Sequence, residues 1–542
     1  MTAVPRRRLL VGATTTAAVV ALPGTALAGG AANAAPPGPA VTVLPGDPRY
    51  PELTTGNNQR WTARPDRIVL GSSTAQVVRA VQDAVDERRR LTVRSGGHCY
   101  ENFVSNPETR VILDLSLLSQ VSFDGTAYSI GPGITLLEAY RTLYRRWGVT
   151  IPGGSCYSVG AGGHIAGGGY GFLSRRHGLA VDHLYGVEVV TVDAAGRARA
   201  VVATRDDSGA LGDLWWAHTG GGGGNFGVVT RYLMGPDLPK PPQTVLLHGA
   251  GLDWAALDEQ RFVRLVTNFG RWHELHSAPG SPAEALSAVL ALNHRSAGGS
   301  GMLVQVDGTA PGAAALLDGF LTAVLDGVAD DPAGYRQPMT APLGDLGPMT
   351  AAAEPARWPW LRATAYVATN TPALTDPTQR ADHKSAFLRR SLSPAQARTL
   401  YRQLTGGTFA NPRAGVVLFS YGGRVNAVAP DATAVAQRDS VLKLLVQSFW
   451  AGAADDEANV DWVRRTYREL FAGTGGVPVP GETADGCYVN YPDTDLGDPA
   501  WNTSGVGWPT LYYKGNYPRL QRAKARWDPR DVFRHHQSVR LP

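Results

Sequence analysis

Two glycine-dense runs constrain this chain more than any other feature. The first is Arg94-Ser95-Gly96-Gly97-His98-Cys99-Tyr100. The second, from Pro152 to Gly171, carries Gly154, Cys156, Gly162, Gly163, His164, Gly167, Gly168 and Gly169. With no Cβ, glycine lets a backbone turn tightly or press against a flat polar ligand. One such run is weak evidence, and any single glycine could serve a turn alone. Two runs that each present one nucleophilic side chain say more. His98 and Cys156 stand 58 positions apart, far enough to reach one site from separate loops.

At 542 residues the chain is too long for one ordinary domain. Hydrophobic residues make up 43% and charged residues 18%, which reads as a soluble globular protein. The net charge of +5 is small for this length, and several of the positive charges sit at the N-terminus. With no Lys/Arg stripe interleaved with aromatics, nucleic acid is not an expected partner. No HExxH or paired CxxC is present, and His535-His536 lacks neighbouring acids, so no metal is expected. The cysteines are Cys99, Cys156 and Cys487; Cys99 and Cys487 read as small buried hydrophobes rather than a disulfide pair.

Residues 1–34 have the layout of a bacterial export signal. Arg6, Arg7 and Arg8 precede an apolar run from Leu9 to Leu22, with cleavage candidates at Ala26-Leu27-Ala28 and Ala32-Asn33-Ala34. Paired arginines before two leucines point to the twin-arginine route. An ordinary secretory signal and a membrane anchor are the alternatives, though the run is short of the about 20 residues a spanning helix needs. The expectation is a secreted protein without stable membrane association once the signal is removed.

Residues 35–60 read as an extended lead-in. Over residues 61–240 strands and helices mix. Ser73–Arg89 reads as a surface helix behind a Ser cap, with Val77, Val78, Val81, Ala84 and Val85 at helical spacing. Leu91–Arg94, Val111–Leu115 and Val121–Ile130 read as strands, Ile134–Trp147 as a helix, and Val187–Val202 as a hairpin turning at Ala194-Ala195-Gly196. Over residues 241–485 strand candidates recur at Thr244–His248, Leu286–Leu292, Met302–Val306, Leu361–Val367, Gly415–Tyr421 and Val441–Phe449, between helical segments. This predicts an antiparallel sheet backed by helices. Residues 486–542 return to the first texture. There is no internal repeat and no GxGxxG at a strand–helix junction. The class is α+β.

From about residue 40 onward the chain resembles the berberine bridge enzyme-like flavoproteins. The likeness rests on His98 and Cys156 in their glycine runs, on Tyr488-Val489-Asn490-Tyr491-Pro492-Asp493, and on the closing run Tyr512–Pro542. Within the family it is nearest the bacterial secreted oxidases of sugars and glycosylated antibiotics. The resemblance implies a two-domain FAD-binding fold of the vanillyl-alcohol oxidase/PCMH type with an antiparallel-sheet substrate domain. It implies FAD bonded twice, through its 8α-methyl carbon to His98 and through its 6-position to the sulfur of Cys156. Arg94, Ser95, Gly96, Gly97, Gly154, Gly162, Gly163, His164, Gly167, Gly168, Gly169, Val228 and Asn490 are then expected at the cofactor. Its pyrophosphate would lie on glycine N–H groups. Tyr491 is the first choice for catalytic base and Tyr488 the competing one; Tyr421 is expected to assist and Tyr170 to lie beside the flavin. A twin-arginine signal suits such a cofactor, because that route carries folded proteins.

The expected activity is removal of hydride from an alcohol or hemiacetal carbon of a small sugar or glycoside. Molecular oxygen would accept the electrons and give hydrogen peroxide. Phe172, directly after the run ending in Tyr170-Gly171, would narrow an oxygen path, so the acceptor stays open. Two alternatives remain. One is C–C bond formation or desaturation of an alkaloid-like or polyketide substrate on the same flavin. The other is an exported flavin-containing binding protein without turnover.

Overall fold

Three sheets organise residues 38–329, 356–369 and 378–542, which the computed structural model describes. The candidate export signal lies outside these residues. The first sheet comprises β1 (Val41–Val43), β2 (Arg67–Leu70), β3 (Leu91–Arg94) and β4 (Val111–Asp114), in the order β1-β2-β4-β3. β2 and β3 both run parallel to β4, and β1 is antiparallel to β2. Between β2 and β3 the helix Thr74–Asp86 buries Val77, Ala80, Val81 and Ala84, and the Ser73 hydroxyl caps it by accepting from the Gln76 N–H. β3 ends at Arg94, whose Nε donates to the buried Asp114 carboxylate on β4 at 2.6 Å. The first glycine run therefore leaves a fixed strand end.

The second sheet holds β5 (Val121–Phe123), β6 (Tyr128–Ile130), β7 (Leu184–Val192), β8 (Ala198–Thr204) and β9 (Val228–Met234), antiparallel in the order β5-β6-β9-β7-β8. The stretch Val121–Ile130, read from sequence as one strand, is a hairpin. The Asp124 carboxylate accepts from the Thr126 and Ala127 N–H groups, and Gly125 takes φ +95°. The turn at residues 194–196 joins β7 to β8, with Gly196 at φ +83°.

The third sheet is antiparallel throughout. It contains β10 (Thr244–Asp253), β11 (Leu286–Asn293), β12 (Gly299–Asp307), β13 (Ala356–Pro359), β14 (Arg380–Leu388), β15 (Ala414–Ser420) and β16 (Leu442–Trp450), in the order β13-β10-β12-β11-β15-β16-β14. Helices Glu259–His276, Ala313–Leu325, Pro394–Thr405 and Asp456–Leu470 pack on one another and against β12, β14 and β16. Alternation along the strands separates the two faces: Leu290, Leu292, Met302 and Val304 are fully buried, while Val289, Ala291 and Leu303 are half-buried on the other side.

Two further elements differ from the sequence reading. Leu361–Val367 lies in a helix, Trp360–Thr369, not a strand. Its apolar stretch is too short for periodicity to decide, and Ala363, Ala365 and Ala368 favour a helix. β14 was not anticipated, because Arg380, Asp382, His383 and Lys384 look like a solvated segment. In the fold Arg380 pairs with Asp456, Asp382 with Arg60 and Lys384 with Asp493 and Asp495, while burial keeps His383 neutral.

Residues 39–542 form one compact unit. Its largest core joins the second sheet, the third sheet and the C-terminal segment. A smaller core lies where helix Thr74–Asp86, β3 and β4 meet Val190, Val192 and Val228 of the second sheet, and Phe533 closes it.

Candidate active site

The two glycine runs meet backbone to backbone. A Cβ on Gly96 would collide with the backbone of Gly160 and lie 2.8 Å from the Ser158 carbonyl oxygen. Gly97 takes φ +72°, and His98 then reaches across to the second run, its Nε2 lying 2.9 Å from Ser158 Oγ. Ser95 Oγ donates to the Pro132 carbonyl at 2.6 Å, and Arg94 Nη1 to the Thr55 carbonyl at 2.9 Å. His164 ties the Cys156 loop down, its Nε2 accepting from the Gly154 N–H at 2.9 Å.

The runs open onto one continuous cavity of about 600 Å³. At one end it passes between the first and second sheets, past Leu91, Val93, Val228 and Tyr232. In the middle it meets His98 and Cys156. At the other end it spreads over the third sheet. Burial pushes His98 down to about 4, so its imidazole is neutral, and pushes the Cys156 thiol up to about 11. Gly163 and Gly223 line this cavity, and a Cβ at either would meet no protein atom within 4 Å. That leaves a smooth backbone wall.

Arg94, Ser95, Gly96, Gly97, Gly154, Gly162, Gly163, His164, Val228 and Asn490 all line the cavity. Gly167, Gly168 and Gly169 do not. A Cβ on Gly167 would collide with Asn490; Gly168 and Gly169, at φ +113° and +71°, pack against Val435 and Ala180. Their role is to admit neighbouring segments, including the C-terminal one. Asn490 uses that approach: its Nδ2 donates to the His164 carbonyl and to Tyr488 Oη, both at 3.0 Å.

A cluster of phenols stands where the loops meet the third sheet. Tyr170, Tyr488 and Tyr491 all line the cavity, and Tyr488 and Tyr491 meet edge to face at 5.0 Å. Tyr421 does not line it. That ring is 1% exposed, lies behind Tyr170, and donates its hydroxyl to the Gln437 carbonyl at 3.2 Å. The cavity position on β15 belongs to Phe419 instead.

Two residues of this cluster escaped the sequence reading. Lys443 on β16 is 1% exposed, yet its ammonium sits 4.3–4.8 Å from the ring centres of Tyr170, Phe419, Tyr488 and Tyr491. It also donates to Tyr491 Oη at 3.4 Å. Burial pushes Lys443 down to about 7, although the four ring faces around it favour a cation. Tyr100 stacks on Tyr491 at 5.1 Å and on His383 at 3.7 Å. Burial holds Tyr491 well above the ordinary phenol range and raises Tyr488 to about 12; for Tyr488, hydrogen bonds from Asn490 and the Gly169 and Tyr170 N–H groups act against burial. Tyr100 carried a signal, two positions after His98. Lys443 carried none.

Comparison with known proteins identifies the family. Residues 65–199 match the family described as FAD binding domain, and residues 487–540 match the family described as berberine and berberine like. Aclacinomycin-N/aclacinomycin-A oxidase from Streptomyces galilaeus is 49% identical over 92% of this chain and 89% of its own length. The chain belongs to the berberine bridge enzyme-like family. Hexose oxidase from Chondrus crispus is 34% identical over 91% of this chain and 93% of its own. The crystal structure of a glycopeptide hexose oxidase complexed with teicoplanin superposes with a TM-score of 0.85 at 44% identity, covering 93% of this chain and 99% of that one.

This berberine bridge enzyme-like protein is thus an FAD-dependent oxidoreductase with the α+β FAD-binding fold of the vanillyl-alcohol oxidase/PCMH type. Its residues fit the cofactor: a slot between two sheets with a bare backbone wall at Gly163 and Gly223, then a neutral imidazole and a thiol on the same cavity. Among the described residues no helix is long and apolar enough to cross a membrane.

Proposed function

We propose that the protein oxidises an alcohol or hemiacetal carbon of a sugar or glycosylated metabolite to a carbonyl. The carrying observation is the buried amine of Lys443 against the phenol of Tyr491, on a cavity that also presents His98 and Cys156. FAD supplies the acceptor for the hydride that leaves the carbon. His98 and Cys156 would hold FAD by two covalent bonds, fixing it while leaving the third-sheet side open. Tyr491 receives the substrate hydroxyl proton as its own phenol proton passes to the neutral amine of Lys443. Tyr170 and Tyr488 wall the reacting carbon from water. Molecular oxygen takes the two electrons and two protons away as hydrogen peroxide. The relatives support the substrate class: one is an aclacinomycin oxidase, another a hexose oxidase. We further propose that residues 1–34 direct secretion by the twin-arginine route.

The cofactor reading predicts a yellow protein that keeps its flavin after acid denaturation. Flavin-linked peptides should contain His98 and Cys156. His98→Ala or Cys156→Ala should each retain flavin through the other bond, and the double variant should release it; free flavin from the unaltered sequence would refute the linkage. Peroxide release over a panel of sugars and glycosides tests the reaction. A panel that reduces no flavin would sink it.

A further inference from the structure

Arg175 is 0% exposed and stands in the short helix Ser174–His177, just past the second glycine run. Arginine is rarely buried outright unless a carboxylate pairs with it. Among the described residues this guanidinium bonds only neutral oxygens. Nη1 donates to Ser277 Oγ at 3.1 Å and to the Tyr421 carbonyl. Nη2 donates to the His276 carbonyl at 2.8 Å and to the Ala283 carbonyl at 3.2 Å. A buried cation with no carboxylate is costly unless fixed acceptors hold it, and here each acceptor is fixed in turn.

Those acceptors come from separate segments. His276 ends helix Glu259–His276, whose negative dipole end favours a cation. Ala283 lies in the turn before β11. Tyr421 directly follows β15, and there Gly422 and Gly423, at φ +80° and +60°, fold the chain back over the Arg175 helix. A Cβ on Gly423 would lie 2.5 Å from the Arg175 carbonyl oxygen. The preceding carbonyl, that of Ser420, accepts from the hydroxyl of Tyr170. Two consecutive carbonyls at the end of β15 are thus held from beside the second glycine run, one by Arg175 and one by Tyr170.

This anchor governs how Tyr170 meets Lys443. Of the four rings around Lys443 Nζ, that of Tyr170 is nearest, its centre 4.3 Å away. Phe419 is the cross-strand partner of Lys443, so the ladder holds it in place. Tyr170 belongs to no strand. Its ring leans on Tyr421 at 5.4 Å and on Phe419 at 6.5 Å, and its hydroxyl bond to Ser420 sets the tilt. A ring face turned towards Nζ favours the charged amine. Besides Tyr170, Tyr488 and Tyr491, the titratable groups in electrostatic reach of Lys443 are Cys156 and His164, and burial keeps both uncharged.

We infer that Arg175 is a positioning residue for Tyr170: by fixing the Ser420–Tyr421 carbonyls it keeps the phenol ring face-on to Lys443, and so sets how readily that amine changes charge. The inference rests on the proton relay from Tyr491 to Lys443 proposed above.

The test reads the amine itself, with no substrate present. The chain has five lysines. Isotope labelling at lysine Cε in the flavin-loaded full chain therefore gives few NMR signals, and that of Lys443 is the one missing from Lys443→Met. Arg175→Lys keeps the charge but cannot span four acceptors. The Tyr170 ring should remain as a wall against Phe419 and Tyr421 while losing its alignment, and the Lys443 midpoint should fall by about half a pH unit. Tyr170→Phe should lower it by a similar amount, and the two changes together should lower it no further, because both cut one tether. Ser277→Ala removes a single acceptor and should give a smaller fall, which keeps the test open if Arg175→Lys does not fold; retained flavin and melting temperature report folding. A midpoint unmoved by Arg175→Lys and Ser277→Ala would overturn the inference, as would effects of Arg175→Lys and Tyr170→Phe that simply add. If no lysine of the unaltered protein titrates near neutrality, the relay reading itself fails.

Discussion

Burial drives the two groups of the Lys443–Tyr491 contact in opposite directions, the amine towards neutrality and the phenol away from ionisation. Under the proposed mechanism the phenol would work as a relay rather than as a standing phenolate, and the amine would set the pH at which the relay is ready. Lys443 is neutral above about 7. The rate of flavin reduction should thus rise with pH through about 7, level off above it, and fall as acid protonates the amine. Lys443→Met should remove that acid limb and slow reduction at every pH. Tyr491→Phe loses one oxygen atom, so packing and bound flavin should survive while reduction falls by about 100- to 10,000-fold. Reoxidation should be unchanged in both. Stopped-flow reduction without oxygen reads this directly; if Tyr488→Phe slows reduction and Tyr491→Phe does not, Tyr488 carries the proton. The phenols were legible because they sit in a compact motif after Cys487. Lys443 was not, because a lysine within an apolar strand reads as the solvated face, and only the third dimension shows that both faces of β16 are covered.

Each element of the site depends on close approach that few side chains permit. The first glycine run was legible as a place needing Gly, but not what it approaches: Gly96 faces the backbone of Gly160. Gly96→Ala should push the two loops apart and lower the fraction of chains with doubly attached flavin, measured by peptide mapping. β14 was illegible for a different reason. Its Lys384 is 3% exposed and bonds Asp493 and Asp495, both at 2.6 Å, just beyond Tyr491; Arg464 of helix Asp456–Leu470 holds Asp495 from the other side. Charges that look solvated in sequence here clamp the C-terminal segment to the third sheet. Lys384→Met would leave Asp493 buried without its cation and should cost about 3–5 kcal/mol in chemical denaturation. Burial already raises Asp493 to about 6. In the variant the folded state therefore binds its proton more readily than the unfolded chain does, and stability grows as pH falls. The deficit should be smaller at about pH 5 than at about pH 8.

At the scale of the whole molecule, the site belongs to no single sheet. The first two sheets hold the cofactor slot, the third supplies the floor and Lys443, and the segment after residue 486 returns to deliver Tyr488, Asn490, Tyr491 and Phe533. Periodicity marked the antiparallel third sheet and the β7–β8 hairpin but not the parallel pairing of the first sheet, and we propose domain boundaries at the change of texture near residues 240 and 485. Which face of the third sheet looks at the cavity was beyond periodicity, since both faces of its central strands carry apolar residues. A site assembled from the beginning, middle and end of the chain is complete only after the chain has folded, and a cofactor lodged between its sheets has to enter no later. This bears on export. A route that threads unfolded chains would deliver the protein without its site, whereas the proposed twin-arginine route would move it finished. Changing Arg7 and Arg8 to Lys keeps the charge and removes the guanidinium pair, so the precursor should accumulate inside the cell, folded, yellow and active on lysis. The unaltered chain should appear outside the cell with flavin already attached, beginning just after Ala28 or Ala34. Normal secretion of the Lys pair would point to the ordinary secretory route, and would require the flavin to be acquired after crossing.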